Sequence, residues 1–123
     1  SMGIPASIRL RKPSDFQQVR TSEHRVHCGP FVIQCEPGAA GQSTPTRLGV
    51  IASRRVGNAV VRNRGKRIVR ELFRRHADKL PQGSQCVVVL RSKYRKYSFA
   101  HIEEEFIQAC SKISASAFIG GDQ

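Results

Sequence analysis

The stretch Ser53–His76, SRRVGNAVVRNRGKRIVRELFRRH, decides how the rest of the chain is read. It holds nine of the 21 basic residues (Arg54, Arg55, Arg62, Arg64, Lys66, Arg67, Arg70, Arg74, Arg75) against a single acid, Glu71. At about 3.6 residues per turn, Arg62, Lys66, Arg70 and Arg74 recur every fourth position as one stripe, widened by Asn63 and Arg67. Val61, Ile68 and Leu72 lie opposite, with Val69 at their edge. This is an amphipathic helix with a cationic polar face. Gly57 provides the turn before it and Asn58 the N-cap. Like charges four residues apart cost an isolated helix roughly a few tenths of a kcal/mol per pair. Such a helix is kept for its ligand, and its guanidinium richness points to phosphate. Gly65, inside the helix, costs about 1 kcal/mol relative to Ala. A close polyanion backbone or a kink would explain it.

Outward from this helix the chain alternates short elements. Ser1–Lys12 is an arm ending in Arg9-Leu10-Arg11-Lys12. Pro13-Ser14-Asp15 starts a helix from Asp15 to about Thr21. Val26–Glu36 is the first strand region, kinked at Gly29-Pro30, with an extra short strand near Val26. Pro37–Pro45 is a hairpin loop leading to a second long strand, Arg47–Ser53. Leu80–Ser84 breaks the basic helix, and Gln85–Arg91 is a β-branched buried strand. Ser92–Tyr97 is a basic loop whose Tyr94 and Tyr97 form a candidate stacking patch. Ser98 caps a last helix on which Ile102, Phe106, Ala109, Cys110 and Ile113 repeat at helical spacing, and Ser114–Gln123 reads as frayed. The expected fold is α+β. It is a two-layer α-β sandwich with a mixed sheet of about four strands, in the order α-β-β-(β)-α-β-α. One domain spans 1–123, with 1–8 and 114–123 flexible. Strand parity turns Phe31, Ile33 and Cys35 towards helices and leaves the Val32/Gln34 face partly open. An open sheet face beside a cationic helix suits single-stranded nucleic acid.

The net charge of +12 favours nucleic acid through counterion release. A membrane-surface protein would place Trp, Phe or Leu opposite its charges. This chain has no Trp, and the apolar face of its basic helix is needed for the core. No apolar run reaches the roughly 18 residues of a membrane span. Ser1–Ile8 carries no secretory signal, and Ser1 ahead of Met2 reads as an added residue. Glu103, Glu104 and Glu105 turn the chain net negative from His101 on, so the positive field is directional.

Cys28, Cys35, Cys86 and Cys110 have irregular gaps and no CxxC, and are expected as free thiols in a reducing cytosol. His24 and His27 near Cys28 lack a fourth zinc ligand. Two-metal hydrolysis needs clustered carboxylates, whereas consecutive glutamates on a helix point about 100° apart. A metal-free nuclease needs an acid–base pair, typically His, and His24, His27, His76 and His101 make none. A nucleic-acid-binding protein therefore fits better than a self-sufficient enzyme. The alternatives are a structural RNA-binding protein of ribosomal-protein type and a DNA-binding helix. The last lacks a helix-turn-helix partner or a dimer seam.

Ser53–Arg64, followed by Lys66-Arg67 and Arg70-Glu71, resembles the signature of the bacterial ribonuclease P protein subunit. Its centre is that family's RNR motif, here Arg62-Asn63-Arg64. Arg9–Val19 (RLRKPSDFQQV) and Gly29–Cys35 (GPFVIQC) also resemble the family's start, and the resemblance runs from about Arg9 to Ile113. It implies an α-β sandwich with a left-handed crossover around the basic helix, against the general right-handed preference. It implies a cytoplasmic protein, monomeric when free, that binds ribonuclease P RNA and the 5′ leader of precursor tRNA. The RNA with its Mg²⁺ then performs the cleavage, with no organic cofactor and no catalytic residue or metal ligand from the protein. Carried over, the set facing the catalytic RNA is Arg62, Asn63, Arg64, Lys66, Arg67 and Arg70. The leader-facing set is Phe16, Arg20, Val32, Gln34, Ser53, Arg54 and Arg91, with Arg62 at the boundary. The family often has aromatics where Arg20 and Gln34 stand. Base stacking is worth roughly 1–3 kcal/mol, so any stacking part of leader binding is weakened here. Arg20 replaces part of it through cation–π or phosphate contact.

Overall fold

The computed structural model describes residues 6–38 and 44–121. Helix α1 (Pro13–Arg20) leads to strands β1 (Arg25–His27), β2 (Phe31–Glu36) and β3 (Arg47–Ile51). Helix α2 (Ala59–His76), strand β4 (Gln85–Leu90) and helix α3 (Phe99–Gly121) follow. The strands form one mixed sheet in the order β1-β2-β4-β3. β2 is antiparallel to β1 and β4, and β3 is parallel to β4. The architecture is the expected α+β, and the short strand near Val26 exists as β1.

The pairing differs from expectation in one respect. β4 lies between β2 and β3, so Pro37–Pro45 does not close a hairpin; its residues 39–43 lie outside the described residues. The hairpin is instead β1–β2, turned at Cys28–Pro30 by a Cys28 N–H donating to the Phe31 carbonyl (2.8 Å). Composition gives the reason. Cys86, Val87 and Val88 are fully buried and need cover on both faces, which only a central strand receives. β1, with exposed Arg25 and His27, tolerates an edge. The other edge, β3, is covered by the N-terminal arm, where Leu10 N–H donates to the Leu48 carbonyl (2.9 Å).

The two sheet faces carry different helices. Phe31, Ile33, Cys35, Leu48, Cys86, Val88 and Leu90 meet Val69, Leu72 and Phe73 of α2 and Ile102, Phe106, Cys110 and Ile113 of α3 in the main core. On the opposite face, Leu10, Val19 and Val87 form a smaller cluster with Phe16, Ile51 and Val89. α1 therefore covers part of the face that parity left open. α3 runs as helix to Gly121, past Ser114, whose hydroxyl donates to the Lys79 carbonyl. Pro13 occupies the first turn of α1 without a side-chain cap. Cysteine behaviour also departs from expectation. Cys35 and Cys86 are direct cross-strand partners and form a disulfide, because pairing register, which spacing cannot reveal, puts them side by side. Cys28 and Cys110 are free and buried, and burial pushes their thiols up to about 11 and about 12.

Candidate nucleic-acid interface

The basic helix is built locally as its residues dictate. Gly57 holds φ +153°, in the region that favours glycine. Asn58 then caps α2, its side-chain oxygen accepting the Val61 N–H at 3.0 Å. The buried side is Gly65, Val69, Leu72 and Phe73, with Val61 and Ile68 at its margin rather than its centre. Gly65 faces the protein, not RNA. A Cβ there would lie 2.7 Å from Leu90 Cδ1 and 3.1 Å from the Tyr94 ring. The helix–sheet approach accounts for this glycine, and it corrects the polyanion-backbone and kink explanations.

Among the RNA-facing candidates, Asn63, Arg64 and Arg67 are exposed, while Arg62, Lys66 and Arg70 are half-buried along one flank. Burial first, then the nearby Arg9, pull the Arg70 guanidinium below its usual range. Arg9 is thus a cation at the stripe that helical spacing could not find, since it comes from the N-terminal arm. Arg62 Nε is, among the described residues, a buried side-chain atom with no hydrogen-bond partner.

The stripe ends before Arg74. Arg74 and Arg75 both donate to Glu71 (2.6 and 2.8 Å), and these bonds hold its carboxyl down to about 2. Arg75 (3.2 Å) and His76 (2.8 Å) also engage Glu103 of α3. His76 first, then Arg75, hold that carboxyl below its ordinary range. Glu71 of α2 and Glu103 of α3 therefore neutralise the C-terminal end of α2, and the unbalanced cations lie ahead of it, from Arg62 to Arg70. The positive end of the helix dipole lies there too, which favours an anion further.

The leader-facing candidates divide. Val32, Val89 and Ile51 are register partners across β2, β4 and β3, all half-buried, and form a row that α1 leaves accessible. Ile51 and Val89 join Val32 only through register, which the sequence does not display. Phe16 is half-buried on this same face. Arg20, at the end of α1, is exposed. Ser53 and Arg54, past β3, and Arg91, past β4, are also exposed, and Arg91 Nη1 donates to the Cys28 carbonyl at 3.1 Å. Gln34 is different. It is buried, and its amide donates to the Arg20 carbonyl (2.9 Å) and the Ser22 carbonyl (2.5 Å). It ties the end of α1 to the sheet. Tyr94, from the candidate stacking patch, is likewise buried, its hydroxyl donating to the Val61 carbonyl at 2.6 Å.

No helix among the described residues is long and apolar enough to cross a membrane. The arrangement is a half-apolar sheet row, an aromatic on α1 and a cationic helix flank, which is what a single strand with an anionic backbone requires.

The family model for ribonuclease P matches residues 4–114. The chain is 35% identical over 88 residues to the ribonuclease P protein component of Desulfovibrio desulfuricans, covering 72% of this chain and 67% of that protein. It is 30% identical over 115 residues to that of Dictyoglomus thermophilum, covering 91% and 92%. The RNase P protein from Thermotoga maritima superposes with a TM-score of 0.72 at 29% identity, over 85% of this chain and 96% of that one. The Staphylococcus aureus RNase P protein gives 0.70 at 27%, over 83% and 91%. With the RNR helix, the mixed sheet and these relatives in agreement, the chain belongs to the ribonuclease P protein family.

Proposed function

We propose that this chain binds ribonuclease P RNA along the Arg62–Lys66–Arg70 flank of α2 and holds the 5′ leader of precursor tRNA across the Val32–Val89–Ile51 row beside α1. In this way it promotes leader removal. It acts in the cytoplasm and is a monomer before assembly. The observation that carries the RNA assignment is the α2 flank, where Arg62, Lys66 and Arg70 form no salt bridge among the described residues and Arg62 Nε is unpaired. Cleavage falls to the RNA partner with Mg²⁺. In this reading the protein binds and positions the RNAs, and no chemical step is assigned to its side chains.

The test is cleavage of a labelled precursor tRNA at low Mg²⁺ by a bacterial ribonuclease P RNA, with and without this protein. The expected result is no cleavage by protein alone and restored, accurate leader removal with both. Tight RNA binding that leaves cleavage unchanged would overturn the proposal in favour of a structural RNA-binding protein. A second prediction concerns salt. Arg62→Ala, Lys66→Ala and Arg70→Ala should each reduce the slope of log K against log salt by about one for ribonuclease P RNA. Arg74→Ala should leave it nearly unchanged, because Arg74 is already paired with Glu71. Three unchanged slopes would remove the flank from the interface.

A further inference from the structure

On the other flank of α2, a cavity of about 480 Å³ opens between that helix, the turn after β4 and the start of α3. Its volume falls within the roughly 300–1,000 Å³ of small-ligand sites. Arg64, Arg95 and Lys96 supply three cations at its wall, and none of the described residues lining it is acidic. Ile68 and Ile102 contribute apolar side chains, and Tyr97 and Phe99 contribute rings.

The two rings differ in freedom. Tyr97 is fixed. A Cβ at Gly29 would lie 2.5 Å from Tyr97 Cζ, so the phenol end packs on that glycine, and the ring stands edge-on to His101 at 4.9 Å between centroids. Phe99 is 38% exposed, one of the large apolar side chains left at the surface of the described residues. Arg75 covers one of its faces, with Cζ 5.2 Å from the ring centroid, and is itself held by Glu71 and Glu103. Phe99 also lines the cavity, so its exposed surface is available to a planar group there.

We propose that this cavity takes one unstacked nucleotide of the RNA that α2 binds, its base on Phe99 and its phosphate among Arg64, Arg95 and Lys96. The proposal rests on the function given above, since Arg64 joins the cavity to the RNR helix. The chemistry favours RNA over a free nucleotide. No Asn, Gln, Asp or Glu among the described lining residues is there to read a base edge. Stacking plus cations is the sequence-tolerant mode used for unpaired nucleotides within a strand. This gives the basic loop and Phe99 a role that the leader and the opposite flank of α2 do not.

The experiment measures binding of the full chain to ribonuclease P RNA across a salt series. Phe99→Leu keeps apolar bulk and loses the aromatic face. It should weaken binding about 10-fold, the size of one base–aromatic stack, with the salt slope unchanged. Phe99→Tyr should restore it, and Arg95→Ala should instead lower the slope by about one. If the wild-type chain fails to bind the RNA, the functional reading itself fails. If it binds and both Phe99→Leu and Arg95→Ala behave as wild type, only the cavity assignment is overturned. A parallel arm titrates AMP against the intrinsic fluorescence of Tyr94 and Tyr97, both of which line the cavity. Saturation at micromolar AMP, with RNA binding indifferent to it, would assign the cavity to a free nucleotide and overturn the RNA occupant.

Discussion

Phe106→Ala is expected to lower folding stability by about 3–5 kcal/mol, the range for truncating a fully buried aromatic. Phe106 has no exposed surface, and its ring centroid lies 6.0 Å from that of Phe31 on β2 and 6.4 Å from that of His76 on α2. It is the point where the sheet, the basic helix and α3 meet. The surrounding Phe31, Ile33 and Leu72 are themselves fully buried, so the site cannot collapse cheaply and the cavity term adds to the lost transfer energy. A domain of this kind has about 5–15 kcal/mol of net stability, so the variant loses a large share. Urea denaturation followed by circular dichroism measures it, with an unchanged m-value expected. Phe99→Leu, seven positions earlier and exposed, should stay within about 0.5 kcal/mol of wild type. A Phe106→Ala loss below about 1 kcal/mol would mean that α3 is not the lid of this core.

Much of this was legible before any coordinates. The Asn58 cap, the apolar spacing of Ile102, Phe106 and Ile113, and the parity of Phe31, Ile33 and Cys35 are local signals, and local signals survive folding. What escaped was pairing. Nothing in Pro37–Pro45 says that β4 will enter between β2 and β3, so the expected hairpin, the neighbours of Val32 and the meeting of Cys35 with Cys86 were all beyond reach. The site divided along the same line. Exposed Asn63 and Arg67 follow from helical spacing and Arg64 from the RNR resemblance, whereas Arg9 comes near Arg70 only because the arm runs along β3. Gln34 looked like a surface residue beside Val32 and is instead a buried strap under the end of α1. Gly65 was visible as an anomaly, but its cause, Leu90 and Tyr94, lies some 25 to 30 positions away in sequence.

Gly49→Val should separate packing from recognition. A Cβ at Gly49 would lie 2.5 Å from Phe16 Cζ and 3.3 Å from Leu10 Cβ, so the Phe16 ring rests directly on this strand backbone. A flat ring in a packed cluster cannot swing aside as a flexible side-chain end can. Valine itself suits a strand, so the cost comes from displacing the ring, and overpacking of this kind is worth about 1–3 kcal/mol. With Phe16 pushed off the sheet, the row Val32–Val89–Ile51 loses its aromatic neighbour. Holoenzyme affinity for precursor tRNA should fall about 10-fold, one stacking contact, while affinity for leaderless tRNA holds. The double variant Gly49→Val with Phe16→Ala makes the diagnosis sharper. Removing the ring frees the space that valine needs, so stability should recover in part and the cycle should show favourable coupling. Leader affinity should not recover, because the stacking ring is displaced in the single variant and absent from the double. Equal losses for precursor and leaderless tRNA would place Phe16 in the core alone and move leader contact to Arg20, Arg54 and Arg91.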